Sequence, residues 1–329
     1  MALVNAREDN MSNVSAHADH VYASAEAKSA AATSPIVASW KRCMTMYKLA
    51  PEKGRKPLFL DDHEFKRVRE ATAPLITESA DELDRIFSAV GKSGCCLLLT
   101  DANGVALERR GAIGDDSAFR ELGLWSGAMW SEASVGTNGI GTALADERAV
   151  VVYRDQHFFS ANTGLSCTTA PIRDHMGRMT GAIDISTCRA DIEEMTFSII
   201  TQAVRDASQR IEANLFRRAF PGARFIMVPG GAGQSLSLLA VDHDDLVIGA
   251  TRGARLALKL DDALIAHGLP AVDALNEQRV EAGGDLMDAE RAALRRALSR
   301  ANGNVTQAAN LLGISRATLH RKMNKLRIH

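Results

Sequence analysis

Nowhere in this chain of 329 residues does an apolar run approach the length of a membrane span, about 18 residues or more. The N-terminus lacks the apolar core of a secretory signal. Cysteine is sparse, five in the whole chain, and the odd number argues against a disulfide framework and for a reducing bacterial cytoplasm. No Cys-x-x-Cys, His-x-x-x-His or Cys-x-x-Cys-His spacing occurs, so no metal site and no cofactor is expected. A Walker A motif is missing as well. Neither a Ser/His/Asp nor a paired-carboxylate arrangement stands out, which makes an enzyme the least expected class. Net charge is nearly absent: 39 basic against 40 acidic residues leave −1.

What is present is ordinary globular composition, 46% hydrophobic and 24% charged, in a length that suits two or three domains. The most informative stretch is the last forty residues. Leu294, Ala297, Leu298 and Ala301 recur at helical spacing, and Asn302-Gly303 reads as a left-handed C-cap. Asn304 suits the N-cap of a second helix carrying Val305, Ala308, Ala309, Leu311 and Leu312. Gly313 permits a tight turn, Ser315 caps a third helix, and Leu319, Met323 and Leu326 stripe that helix with apolar residues. Small residue, turn, cap and stripe in this order predict a helix-turn-helix. Positive charge gathers here, with Arg291, Arg295, Arg296, Arg300, Arg316, Arg321, Lys322, Lys325 and Arg327 set against Asp288 and Glu290. A basic third helix is what major-groove binding requires, with Arg316 and Thr318 placed to reach base edges and Asn304 and Thr306 to reach phosphates.

In chain order, residues 1–34 are rich in Ala, Ser, Asn and Asp and are expected to form a disordered or loosely helical arm. Ser34-Pro35 starts a helix whose apolar face is Ile36, Trp40, Cys43 and Met44, with Arg42 expected in solvent. Helical patterns continue from Asp61 to Pro74 and from Leu75 to Val90. Cys95–Thr100, the Asp101-to-Gly104 turn and Val105–Glu108 then read as two paired strands, and Cys95-Cys96 as buried strand residues rather than a redox pair. Strands are expected over 149–153, 165–172 and 179–185, around a short helix at 140–146 entered through Gly136, Gly139 and Gly141. A long helix, 191–216, closes the unit. Beyond Pro221-Gly222, a loose Gly230–Gly233 loop, strands near 224–228, 237–241 and 246–250, and a helix at 251–260 form a smaller module.

The tail GNVTQAANLLGISRATLHRKMNKL closely resembles the Fis-type helix-turn-helix, a dimeric DNA-binding family. That resemblance assigns recognition to Ser315, Arg316, Thr318, Arg321 and Lys322 and phosphate contact to Asn304 and Thr306; His320 and Lys325 share the same basic surface. The front half is similar to the GAF domain of regulators of acetoin catabolism and of dihydroxyacetone/glycerol operons. Glu132, Gly136-Thr137-Asn138, Ile140-Gly141-Thr142, His157-Phe158, Cys167, Ala170-Pro171-Ile172, Gly177 and Gly181 carry the likeness, together with Ser39, Trp40 and Arg42. It implies a small-molecule pocket near Trp130, Glu132, Thr137, Asn138, His157 and Cys167. The module at 222–280 resembles the start of a PAS-like unit. Regulators with this front half carry an AAA+ ATPase and a Gly-Ala-Phe-Thr-Gly-Ala loop for sigma-54, neither of which is found here.

The expected fold class is therefore an α+β sensor with a GAF-like antiparallel sheet and flanking helices (35–216), a small PAS-like α+β module (222–280) and an all-α helix-turn-helix (285–329). The expected function is a cytoplasmic, nucleoid-associated homodimer that senses a metabolite of acetoin, alcohol or glycerol type and regulates by occupying double-stranded DNA without ATP hydrolysis. Alternatives are a redox or haem sensor using Cys95, Cys96, Cys167 or His157, with His175 and Cys188 as further ligands, and a co-regulator whose front half docks RNA polymerase or another regulator.

Overall fold

The computed structural model describes residues 2–26, 34–90, 94–189, 194–228, 237–280 and 303–326, together with 290–291, 293–294, 297–298 and 301. Its centre is a five-stranded antiparallel sheet made of β1 (Cys95–Asp101), β2 (Ala106–Arg110), β3 (Val150–Tyr153), β4 (Ser166–Arg173) and β5 (Met179–Thr187), in the order β2-β1-β5-β4-β3. Every residue of β1 is buried, which is why that segment is a continuous apolar run. Alternation divides the sheet into two covered faces. On one, Leu97, Leu99, Ile172, Ile183 and Ile185 pack beneath two helices. These are α4 (Ala73–Val90), through Leu75, Leu83 and Ile86, and α6 (Glu194–Ala219), through Ile200, Val204 and Ile211. On the other, Cys96, Leu98 and Ala106 meet Phe119, Leu124, Trp130, Ile140 and Phe158, with α5 (Gly139–Asp146) lying against β4 and β5.

Two helices precede this unit, α2 (Pro35–Thr45) and α3 (Asp62–Ala71). Ser34 accepts a hydrogen bond from Val37 N–H at the start of α2, with Pro35 at the first helical position. Of the two states expected for the N-terminal arm, disordered or loosely helical, the structure shows a helix: Ala2–Glu26 forms α1, in which Ala18, Val21 and Ala25 are buried at helical spacing. It docks on α2 and on the segment around Ser160. His17 Nε2 lies 3.0 Å from His157 O, Ser160 Oγ donates to Val14 O, and His20 meets the Trp40 ring edge-on at 5.7 Å. The low hydrophobicity of 1–34 hid this, because Ala is small enough for close helix contact yet contributes little to a hydrophobic signal.

The third unit is a three-stranded antiparallel meander of β6 (Arg224–Met227), β7 (Leu238–Val241) and β8 (Val247–Ala250), followed by α7 (Arg252–Leu258) and the helices Asp262–Ala266 and Ala271–Val280. Its strands pack on the C-terminal end of α6, where Ala213 and Phe216 meet Leu238 and Ala240. The Gly230–Gly233 loop falls outside the described residues.

At the C-terminus, α8 (Val305–Leu311) and α9 (Arg316–Leu326) cross over Ala308 and Ala309, both essentially inaccessible. Leu294, Ala297 and Ala301 complete the small core with Leu319 and Leu326. Among the described residues, no helix is long and apolar enough to cross a membrane.

Candidate DNA-reading helix and sensor interior

The geometry of the tail follows from three local devices. Asn304 Oδ1 accepts the N–H groups of Thr306 and Gln307 at 3.0 and 3.1 Å and so starts α8. Gly313 holds φ +64°, a conformation costly for residues with a Cβ, and Ile314 N–H bonds to Ala309 O across the turn. Ser315 Oγ accepts Thr318 N–H at 3.1 Å and lies 2.8 Å from Thr318 Oγ1.

Burial of Leu319 and Leu326 then fixes which way α9 faces. Arg316, Ala317, His320, Arg321, Asn324 and Lys325 are exposed, and Thr318 is half-buried. Helical spacing puts Ala317, Arg321 and Asn324 opposite the buried stripe, flanked by His320 and Lys325. Ala317 and Asn324 were not singled out from the sequence, although the wheel drawn from Leu319 and Leu326 locates them. Lys322 departs from the expected free surface: it is half-buried and ion-paired with Glu290, and that contact holds Glu290's carboxyl below its usual range. Of the other expected bases, Arg295, Arg296, Arg300 and Arg327 lie outside the described residues, as do Asp288 and Asn302.

In the front unit the six residues expected around a ligand are all buried, and their polar atoms are engaged by neighbours. Trp130 Nε1 donates to Gly123 O at 3.0 Å. Glu132 receives Arg42 Nε at 2.6 Å, Arg42 Nη2 at 2.7 Å and Ser39 Oγ at 2.5 Å. Arg42 is therefore no solvated residue; its hydrogen bond to Glu132 raises its pKa, and Nη2 also reaches Asp146 at 3.0 Å. Thr137 Oγ1 lies 2.7 Å from Ser39 Oγ. Asn138 caps α5 through Gly141 N–H and donates to Gly136 O. His157 Nδ1 sits 2.9 Å from Arg154 O, and its Nε2 lies 3.4 Å from Cys167 Sγ. Burial lowers the His157 pKa to about 4, so the ring is neutral.

These residues form a frame that ties α2 and the glycine turns to the sheet. Two groups on the α5 side of the sheet were missed. Asp184 on β5 is wholly buried, accepts Thr169 Oγ1 at 2.5 Å and Ser186 Oγ at 2.7 Å, and is pushed up to about 6 by burial. Arg109 on β2 lies 4.4 Å over the Trp125 ring and 2.8 Å from Asp116, while its Nε and Nη2 are buried with no nitrogen or oxygen acceptor among the described residues. Both residues flank Leu98 in the strand register. The signal available in sequence was polar residues at inward positions of strands, Asp184 within GAIDIS and Arg109 after VALE. α5 can pack this closely only because of Gly139, where a Cβ would collide with Thr169 Oγ1 and Cys167.

Four of the five cysteines read as inert core. Burial pushes Cys43 and Cys96 up to about 12 and raises Cys95 and Cys167 also, while Cys188 is exposed. Among the described residues, His157, Cys167, His175 and Cys188 do not form a metal-ligand cluster; the one grouping with that spacing is Asp242, His243 and Asp244 in an exposed turn.

Residues 13–213 match the family "MimR, N-terminal domain". This chain belongs to that family. Residues 286–326 match "Bacterial regulatory protein, Fis family". The chain is similar to the acetoin catabolism regulatory protein of Cupriavidus necator, 31% identical over 226 residues, covering 67% of this chain and 34% of that protein. It is also similar to the propane 2-monooxygenase operon transcriptional activator MimR of Mycolicibacterium smegmatis, 31% identical over 49% of this chain and 26% of the other. A solved structure, the E. coli DhaR(N)–DhaL complex, aligns over 77% of this chain and 87% of its own at 19% identity and TM-score 0.49. The chain spans about a third of the length of the curated relatives it matches.

Proposed function

We propose that this chain is a sequence-specific DNA-binding transcriptional regulator whose front unit binds a small metabolite and sets how firmly a pair of helix-turn-helix units holds a duplex. The observation that carries the reading is α9, whose exposed face bears His320, Arg321 and Lys325 away from the buried Leu319 and Leu326, with Arg316 exposed at its N-terminal end. The Fis-type match and the names of the relatives support it. Arg316 and Arg321 then serve base edges, Thr318 and Ser315 the groove wall, and Asn304 and Thr306 the phosphates. Lys322, tied to Glu290, orients the helix. One such unit makes few contacts, so a homodimer over half-sites about one helical turn apart supplies the affinity.

The proposed units are 35–216, 222–280 and 285–329, the middle one PAS-like, with α6 relaying the state of the first. The proposed effector is a small oxygenated molecule of acetoin, alcohol or glycerol type. Its hydroxyl would donate to Asp184 and its oxygen would accept from Arg109, within the frame of Trp130, Glu132, Thr137, Asn138, His157 and Cys167. Output would come from occupancy of DNA in the cytoplasm, without ATP hydrolysis, and through contact with RNA polymerase.

Genomic footprinting of the full chain with and without acetoin, glycerol or short alcohols tests this. A reproducible operator whose protection changes with one of these compounds is expected. Protection of no site, or protection unchanged by Arg321→Ala, would overturn the reading.

A further inference from the structure

On the α6 side of the sensor sheet, where the third unit meets it, lies a cavity of about 330 Å³. That volume is within the range of small-molecule sites, roughly 300–1,000 Å³. Its wall carries four arginines, Arg148, Arg173, Arg205 and Arg252, against two carboxyl groups, Glu147 and Glu212. Some of this charge is used internally. Arg173 Nη2 bonds to Glu147 O and Oε2, each at 3.0 Å, and Arg148 pairs with Asp146 at 3.1 Å. Glu212 Oε1 accepts the Arg173 N–H at 2.8 Å.

The other two arginines are different. Arg205 projects from α6, and its Nε is buried with no acceptor among the described residues. A guanidinium N–H deprived of both water and partner costs free energy, so its persistence beside a cavity points to an acceptor that enters from outside. Arg252 is the first residue of α7, exposed at the rim, and its charge is felt by Glu212 across the cavity. Burial pushes Glu212 up to about 7, so near neutrality it contributes less than a full negative charge.

We propose that this cavity binds a small organic dianion, a phosphomonoester or a dicarboxylate, clamped between Arg205 of the sensor's closing helix and Arg252 of the following unit. Guanidinium forks match either oxyanion in geometry, and with Arg148 held by Asp146 and Arg173 by Glu147, Arg205 and Arg252 supply the two positive charges that a dianion would meet. The site is separate from the Asp184 face, which α5 covers on the opposite side of the sheet, and it does not rest on that reading. Because one clamp residue belongs to each unit, occupancy would fix the third unit against α6, the element that leads toward the DNA-binding helices.

The test is calorimetric titration of the full chain with inorganic phosphate and, separately, with succinate, at ionic strength held constant with sodium chloride. Saturable binding of at least one is expected, weakened about tenfold or more in Arg205→Gln and in Arg252→Gln, as befits the loss of a charged hydrogen bond. Arg252→Gln is an exposed change that leaves the core intact, so it reports even if Arg205→Gln folds poorly. Arg321→Ala and Arg224→Gln should bind as the parent does, which separates this site from the DNA-reading helix. A preference for phosphate assigns the phosphomonoester, and a preference for succinate the dicarboxylate. No saturable heat with either, or equal binding by the parent and Arg252→Gln, overturns the proposal whether or not the chain binds DNA.

Discussion

Arg42 and Glu132 show how a single pair can decide a reading. Glu132 is buried to 1% side-chain exposure and its carboxylate is met by two nitrogens of Arg42 and by Ser39. Removing one member of a buried pair strands the other charge, a cost of about 3–5 kcal/mol. Arg42→Met should therefore lower the melting temperature sharply, whereas an Arg42 acting only at the surface would leave it unchanged. Asp184 offers a test with a defined sign. Its pKa is about 6 in the fold against the ordinary 3.8, so between these values the unfolded chain ionises while the fold retains its proton. The fold loses stability across that interval and carries the full penalty, up to about 3 kcal/mol, above pH 6. Asp184→Asn should then gain stability that grows from pH 4 to 6 and levels off; an equal gain at pH 3.5 and 7.5, read by chemical denaturation, would contradict the assignment.

At the scale of elements, the sheet was legible because its strands announce themselves by alternation and by the turns between them. The helix-turn-helix was legible because cap, turn and stripe each leave a distinct residue. Gly313→Val tests one of these devices: a β-branched residue at φ +64° should destabilise the tail by about 1–2 kcal/mol, seen as earlier loss of helical signal on heating. An unchanged unfolding profile would mean the turn is not held as described. The N-terminal helix was only half legible, because two of its three buried hydrophobic positions, Ala18 and Ala25, are alanine and leave little hydrophobic signal. The sensor interior was only partly legible for another reason. Glu132, Thr137 and Asn138 announce polar chemistry, yet their partners Ser39, Arg42 and Gly141 saturate them, and only packing reveals which polar groups remain. Arg109 and Asp184 emerge only once strand register places both beside Leu98.

Across the whole molecule, a chain of net charge −1 confines a cationic helix to one end, and that partition is what a duplex would read. The front unit matches one family and the tail another, and the proposed receiving and DNA-contacting roles follow that division. The long helix α6 touches the sensor sheet along one flank and the third unit at its end, so it is the element through which either would affect the other. The decisive measurement is the affinity of the full chain for a footprinted duplex, followed by fluorescence anisotropy over a range of salt. Affinity should fall steeply with salt as phosphate contacts release counterions, and Arg321→Ala should cost about 1–3 kcal/mol and blunt sequence preference. Absence of saturable binding to any double-stranded DNA at low salt would contradict the account.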